Sequence, residues 1–165
     1  AKISKKSIAL FEDMNVMSKI ESEARYEIEM EAYIMHIQIE GRVLGDIARN
    51  HIVPTAVKYQ NILIENVKGL KEIFEEKFRS VSQEQISLIE EISSHIENIN
   101  ANVTKLTNER KKANAIVELE KKAMAYCNNV KPLFDDIRKH CDKLELLVDD
   151  EIWPLTKYRE LLFTR

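Results

Sequence analysis

The chain has 165 residues, of which 25 are basic and 28 acidic, so its net charge is −3. No block of basic residues suggests a nucleic-acid surface, and no apolar run approaches the roughly 20 residues that span a bilayer. With 44% apolar residues, 32% charged residues and only three Gly and three Pro, the composition is typical of long helices rather than sheets.

The cysteine content and the N-terminus indicate the compartment. The chain has two cysteines, and the N-terminal apolar run of residues 8–11 is too short for a secretory signal. We therefore expect a cytoplasmic protein with free thiols. The first residue is Ala rather than Met, which favours a piece of a longer polypeptide.

The chain is organised around a predicted helix over residues 18–50, which follows a short helical lead-in over residues 3–13. Ser18 and Glu21 have the spacing of a capping box at a helix start. Residues 33–39 nearly alternate as a strand would, but Glu-rich helix formers on both sides favour a helix. Apolar or small residues form a first stripe: Met30, Ile34, Ile37, Gly41, Leu44 and Ala48. Beside it lies a second stripe: Ile28, Met35, Ile39 and Val43. A face this wide predicts burial by at least two neighbours.

Pro54 leaves two interpretations open, because proline disfavours helical geometry before it and lacks a backbone donor. It either bends one very long helix or starts a second helix after a tight corner. A further stripe then continues to about Lys77. Ser82 and Gln85 predict a second capping box after a turn at residues 80–82.

The most regular stripe of the sequence follows that turn, and it ends at a break predicted near Asn114. Its members are Ile89, Ile92, Ile96, Ile99, Val103 and Leu106. The last long helix carries an apolar stripe from Leu119 to Val148 that includes both cysteines. Pro132 is predicted to kink this helix over Asn128 and Asn129.

These elements predict an all-α, elongated antiparallel helical bundle. Segments of similar length, at about 18–50, 54–78, 82–112 and 116–148, favour a four-helix up-down bundle with a corner at Pro54. The alternative is a long Pro-kinked helix packed with a helical hairpin. We expect a lead-in at residues 1–17, the bundle at 18–148 and a C-terminal anchoring tail at 149–165.

The sequence offers no catalytic, cofactor or metal site. None of the four histidines follows the Glu-x-x-His pattern of di-iron bundles, and His36 with Glu40 lacks further ligands. Cys127 and Cys141 are about 21 Å apart on one helix, so they cannot form a disulfide. Buried core thiols are the expected interpretation.

The tail contains the single tryptophan, Trp153, which either packs on the bundle or docks on another surface. The candidate interaction residues are Ile28, Met35, Trp153, Tyr158 and Leu161.

Two segments resemble bacterial type III glutamine synthetases. They are RYEIEMEAYIMHIQIE with ARNHIVPTAVKYQ, from Arg25 to Gln60, and the ending CDKLELLVDDEIWPLTKYRELLF, from Cys141 to Phe163. Thr156 stands where a second proline of that family is expected, a difference that concerns the rigidity of the tail.

The resemblance implies the non-catalytic C-terminal domain of an enzyme that ligates glutamate and ammonia using ATP and Mg²⁺ or Mn²⁺. No catalytic motif of that family occurs in this sequence, so we expect no cofactor here and a structural role in oligomer assembly. The implied partners are the catalytic domain and neighbouring subunits, with self-association also possible.

The alternative functions are a stand-alone helical protein-interaction module, whose first helix would be fully covered, and a small enzyme on a bundle scaffold.

Overall fold

The computed structural model describes residues 3–163, apart from the side chains of Tyr158 and Arg159, and over this range it contains helices and turns but no strand. The prediction of an all-α fold is confirmed. The α-helices are α1 (Lys5–Asp13), α2 (Lys19–Ile47), α3 (Val53–Phe74), α4 (Phe78–Val81), α5 (Gln83–Asn114), α6 (Leu119–Ala125), α7 (Pro132–Leu147) and α8 (Tyr158–Leu161). Two π-helical segments, Ala48–Ile52 and Tyr126–Val130, and one 3₁₀ turn, Glu75–Lys77, lie between them.

The capping box predicted at the start of α2 is confirmed. The backbone N–H of Ser18 donates to Glu21 Oε2 at 2.8 Å, and the N–H of Glu21 donates to Ser18 Oγ at 3.3 Å. The hydrogen bond from the Ser18 backbone, followed by that from its hydroxyl, lowers the pKa of Glu21. Just before this cap, Asn15 adopts a positive φ of 51° and turns the chain out of α1.

Pro54 lies inside a continuous helix, so the corner that the segment lengths favoured is wrong. Ile47, Ile52 and Val53 all have right-handed helical backbone angles. The N–H of Val53 bonds to the carbonyl of Ala48, five residues back. A proline has no N–H for the regular bond and its ring clashes with the carbonyl four residues before it. The wider π turn accommodates both effects, so the long helix of the alternative interpretation forms.

Pro132 is accommodated in the same way. The N–H of Lys131 bonds to the carbonyl of Tyr126 at 2.9 Å, again a five-residue step. The π-helical segment Tyr126–Val130 contains Asn128 and Asn129, the two residues over which the sequence placed an irregularity. Each π segment ends two residues before its proline.

The reversal before α5 differs from its prediction. The chain leaves α3 at Glu75, where φ is 37°, and reaches α5 through the 3₁₀ turn and α4. The capping box predicted at Ser82 does not form. Ser82 Oγ donates back to the carbonyl of Phe78 at 2.8 Å, and Gln85 Oε1 is buried without a partner among the described residues. Ser82 directly follows the last residue of α4, so the chain is already helical before α5 begins. A capping box requires an extended N-cap residue, and Ser82 does not provide one. The break predicted near Asn114 is confirmed, since α5 ends there.

The bundle predicted over residues 18–148 is divided between two compact units. Unit 1 takes the chain up to Gly41 together with Asn108–Pro132, and unit 2 takes Arg42–Thr107 and the chain from Leu133 onward. A helix of 29 residues, such as α2, is about 43 Å long. Residues at its two ends therefore have different neighbours.

In unit 1, α2 runs antiparallel to the chain of the α5–α6 turn. Tyr26 bonds to Glu120, and further along α2 Gln38 bonds to Asn114. Its buried apolar residues are Ile34, Ile37, Ala113, Ala123, Tyr126 and Val130.

In unit 2, the first π segment and α3 run antiparallel to α5. Arg49 Nη2 donates to the carbonyl of Asn100 and to Thr104 Oγ1, and Gln60 Nε2 donates to Ser93 Oγ at 2.7 Å. The core is formed mainly by Ile52, Ile92, Ile99, Val103, Leu106, Ile137, Leu144 and Val148. On α7, Leu133 is buried and its neighbour Phe134 is half-buried.

We predict that Gly69→Ala stabilises the protein by about 1 kcal/mol, because Gly is less favourable than Ala by that amount inside a helix. A Cβ added at Gly69 meets nothing within 4 Å. The matched control is Gly45→Ala, whose Cβ would lie 3.4 Å from Val103 Cγ1 and therefore gains less. Urea unfolding followed by circular dichroism measures both, and equal gains at the two sites would contradict this interpretation.

Candidate functional site

The two stripes of α2 differ in solvent exposure. On the first stripe, Ile34 and Ile37 are buried at 6% and 4% exposure. On the second, Ile28 is 64% exposed and Met35 60%. Ile39 and Val43 are also about half exposed. The prediction that at least two neighbours bury this wide face is therefore wrong within the described chain.

We call Ile28, Met35 and Ile39, the part of the second stripe that lies in unit 1, the outer stripe. Steps of seven and four residues place them on one side of the helix. Exposed Ala32 lies between Ile28 and Met35, and exposed Ala24 lies one turn before Ile28, so small uncharged side chains continue the stripe. Contiguous exposed apolar surface of this kind marks an interaction site on a soluble protein.

The outer stripe has a polar margin on both sides. Glu27 and Glu31 lie along one side, and His36 and Glu40 along the other, all exposed. An apolar centre with a charged rim is the usual anatomy of a protein–protein interface. Exposed Arg25 lies on the same side as His36, so only the side formed by Glu27 and Glu31 is acidic. That side favours basic side chains on a partner.

A polar triad fixes α2 in unit 1 and so determines which face is left outside. Gln38 Nε2 donates to Asn114 Oδ1 at 2.6 Å and to Tyr126 Oη at 2.9 Å. The hydroxyl of Tyr126 donates to Asn114 Oδ1 at 2.7 Å. Because its hydroxyl is satisfied, the Tyr126 ring can be fully buried, with 0% exposure.

The tail after α7 folds back onto its own unit. Trp153 is only 9% exposed. It shares the lining of a groove of about 290 Å³ with Ile52, Cys141 and Leu161. Its indole N–H is buried without an acceptor among the described residues, so apolar packing holds the ring. The structure thus places Trp153 on the chain's own helices.

Lys157 is the polar centre of this tail and was not singled out by the sequence. The residue is 8% exposed, and its Nζ donates to the carbonyl of Glu145 at 2.8 Å and to the carboxylate of Asp150. It also lies 5.8 Å from the centre of the Trp153 ring. A cation at the C-terminus of α7 satisfies carbonyls that have no intrahelical partner and suits the helix dipole.

The other two tail candidates lie in α8. Leu161 is 58% exposed. For Tyr158 the backbone belongs to α8, but its side chain lies outside the described residues. The tail therefore presents Leu161 at the surface while Trp153 is used internally.

The two cysteines differ, so the expectation of two buried thiols is half wrong. Cys141 is 7% exposed, and burial raises the pKa of its thiol to about 12. Cys127 lies on the second π segment and is exposed. A hydrogen bond with Cys127, followed by burial, raises the pKa of Tyr33 to about 12. Tyr126 takes the inward position that was predicted for Cys127.

Among the described residues, no group of three or more His, Cys, Asp or Glu side chains could hold a metal ion. His36 and Glu40, the one pair noted in the sequence, are both exposed. No described helix is long and apolar enough to cross a membrane.

Fold and site together define a helical domain with an uncovered apolar helix face. Residues 1–71 match the sequence model of the family described as "Glutamine synthetase C-terminal domain". The chain belongs to the glutamine synthetases, as the family resemblance predicted, and corresponds to their C-terminal region.

Several relatives support this assignment. The chain is 50% identical to a glutamine synthetase of Bacteroides fragilis (strain YCH46) over 151 residues, 91% of this chain and 21% of the relative. It is 30% identical to a type-3 glutamine synthetase of Dictyostelium discoideum, with 98% of this chain and 22% of the relative covered. A glutamine synthetase of Butyrivibrio fibrisolvens is 25% identical, with coverage of 98% and 23%. The chain spans about a fifth of the length of the curated relatives it matches.

We predict that Lys157→Met destabilises the protein by about 2 kcal/mol, because carbonyl and carboxylate groups lose a charged donor. The single tryptophan reports this change directly, since its emission should shift to the red as the tail loosens. Lys143→Met, at an exposed position of α7, is the matched control. An unchanged emission maximum and unfolding midpoint for Lys157→Met would contradict the assigned role.

We also predict that one thiol of the native protein reacts with a disulfide reagent and the second reacts only after unfolding. Cys127 is exposed, whereas Cys141 is buried and its thiolate is disfavoured. Cys127→Ser should remove the fast phase and Cys141→Ser should leave it. Two fast-reacting thiols in the native wild type would show that the described register of α7 is wrong.

Proposed function

We propose that this chain is the non-catalytic C-terminal domain of a type III glutamine synthetase, and that its role is structural. The parent enzyme would ligate glutamate and ammonia using ATP and Mg²⁺ or Mn²⁺, all bound by polypeptide outside this chain. The free thiols support the cytoplasm as its location.

The observation that carries the proposal is the exposed outer stripe. Three large apolar side chains on the best-capped helix have no partner in unit 1, although the same helix buries its opposite face well. Leaving them in water forgoes about 25 cal/mol for each Å² that a partner could bury. The matched relatives are about five times longer than this chain. The natural partner is therefore the remainder of the same enzyme, either within one subunit or on its neighbour.

The type III assignment has its own support. One matched relative is named a type-3 glutamine synthetase and is covered over 98% of this chain. The Trp153 to Glu160 string, on which the resemblance depended, forms the internal packing and capping contacts of the tail. Those residues thus stabilise the domain, so the exposed candidates for docking are those of α2 and Leu161 of the tail.

The alternative of a stand-alone interaction module is disfavoured by the same observation. That interpretation requires a first helix covered by its own chain. Ile28 and Met35 are instead more than half exposed.

We predict that Met35→Glu, introduced into the full-length enzyme, weakens assembly by about tenfold or more. Burying such a side chain contributes about 1.5–3 kcal/mol, and 1.4 kcal/mol is a factor of ten in an equilibrium constant. Sedimentation velocity across a dilution series measures the assembled fraction. The variant should fold normally, because the wild-type side chain is 60% exposed.

The matched control is Val117→Glu, which introduces the same charge at a side chain that is 97% exposed and lies off α2. It should assemble like the wild type. Normal assembly of Met35→Glu, or an equal defect in both variants, would refute docking of the outer stripe on a neighbouring subunit.

A further inference from the structure

Two of the three histidines of unit 2, His95 and His140, are in direct contact. His95 on α5 and His140 on α7 place their Nδ1 atoms 2.8 Å apart, with ring centroids 5.1 Å apart and planes tilted by 54°. The contact is partly buried, and the His95 side chain is 16% exposed. It lies beside the core residues Ile92 and Ile137, one turn away on each helix.

Whether this contact is a hydrogen bond depends on how many protons the two Nδ1 atoms carry. Two ring nitrogens at 2.8 Å form a hydrogen bond only when one Nδ1 carries a proton and the other presents its lone pair. With no proton between them, two lone pairs face each other. With a proton on each Nδ1, two N–H groups face each other, and a ring that is also protonated at Nε2 is a cation.

The contact tolerates one charged ring. Nε2 of His95 lies 3.8 Å from Glu91 Oε1, so a proton on this nitrogen would face a carboxylate. The Nδ1–H of His95 would still donate to His140 Nδ1, so the hydrogen bond stays intact.

A second added proton cannot bind without breaking the hydrogen bond. The free lone pair of His140 is then Nδ1, the atom that accepts from His95. Burial lowers the pKa of His140, the charge of His95 lowers it next and that of Lys139 after it, while Asp136 acts in the opposite direction. Glu91 on α5 and Asp136 and Lys139 on α7 are the charged groups that interact with the pair. Protonating His140 at Nδ1 breaks the contact and leaves two cations on facing helices.

We propose that His95 and His140 form an acid-sensitive latch between α5 and α7, closed while the pair shares one proton and opened when both Nδ1 atoms are protonated. In the folded state His140 takes up its proton at lower pH than in the unfolded chain. The unfolded chain therefore binds more protons, and stability falls as the pH drops below the ordinary histidine value of 6.5. Above that value the latch is closed and its contribution is complete.

The test compares the wild type with His140→Gln, which keeps a hydrogen-bonding side chain but cannot titrate. Urea unfolding between pH 8 and pH 5 should show a loss of wild-type stability below pH 6.5 that is absent or clearly smaller in His140→Gln. His36→Gln, at an exposed position of α2, should retain the wild-type loss. An identical pH dependence of His140→Gln and wild type would overturn the latch.

A measurement on the wild type keeps the proposal falsifiable if His140→Gln fails to fold. Imidazole ¹⁵N chemical shifts report the protonation of each ring nitrogen as the pH is lowered. We expect the Nδ1 of His140 to gain a proton only below the ordinary histidine range, together with changed amide shifts on α5 and α7. Independent titration of both rings, or protonation of His140 without any backbone change, would show that no latch exists.

Discussion

A proline inside a helix removes one backbone donor and pushes against the carbonyl four residues before it. Pro54 and Pro132 both meet this constraint with a π-helical turn that ends two residues earlier, after which the chain continues as a regular helix. The rest of the fold depends on this solution. The π turn before Pro54 lets the chain continue as a helix from α2 into α3. Arg49 lies in that π segment and Tyr126 in the second one, and each bonds to a residue of α5. Segments of this type occur often at functional sites.

The same arrangement explains how one helix can be both a structural element and a docking surface. The triad of Gln38, Asn114 and Tyr126 fixes the rotation of α2 about its own axis, so the first stripe faces inward and the outer stripe faces outward. Trp153 and Lys157 of the tail make their contacts within unit 2. An exposed apolar helix face is well suited to attach a domain to a larger enzyme.

Periodicity predicted much of the fold. The regular stripe of α5 is buried at Ile92, Ile99, Val103 and Leu106, and the capping box at Ser18 forms as its spacing required. Periodicity failed where two choices have the same spacing. Tyr126 and Cys127 both fit steps of three and four, and the choice depends on hydroxyl partners far away in sequence. The corner at Pro54 was wrong because the sequence does not show that a π turn can absorb a proline.

The site was less accessible to sequence analysis, for a related reason. An apolar stripe indicates that a face must be covered, but not whether the same chain covers it. The contact of His95 with His140 spans 45 residues, and no local pattern pairs them. Lys157 acts as a cap only because the tail returns to the end of α7. In each case the contact is made by two segments that meet in the folded chain, and local sequence spacing does not indicate it.

The most direct test of this account is a structure of an intact glutamine synthetase that contains this chain, determined at a resolution that shows side chains. The account predicts that Ile28, Met35 and Ile39 are buried against polypeptide from outside the chain, with basic side chains near Glu27 and Glu31. An outer stripe that faces solvent in the assembled enzyme would contradict it.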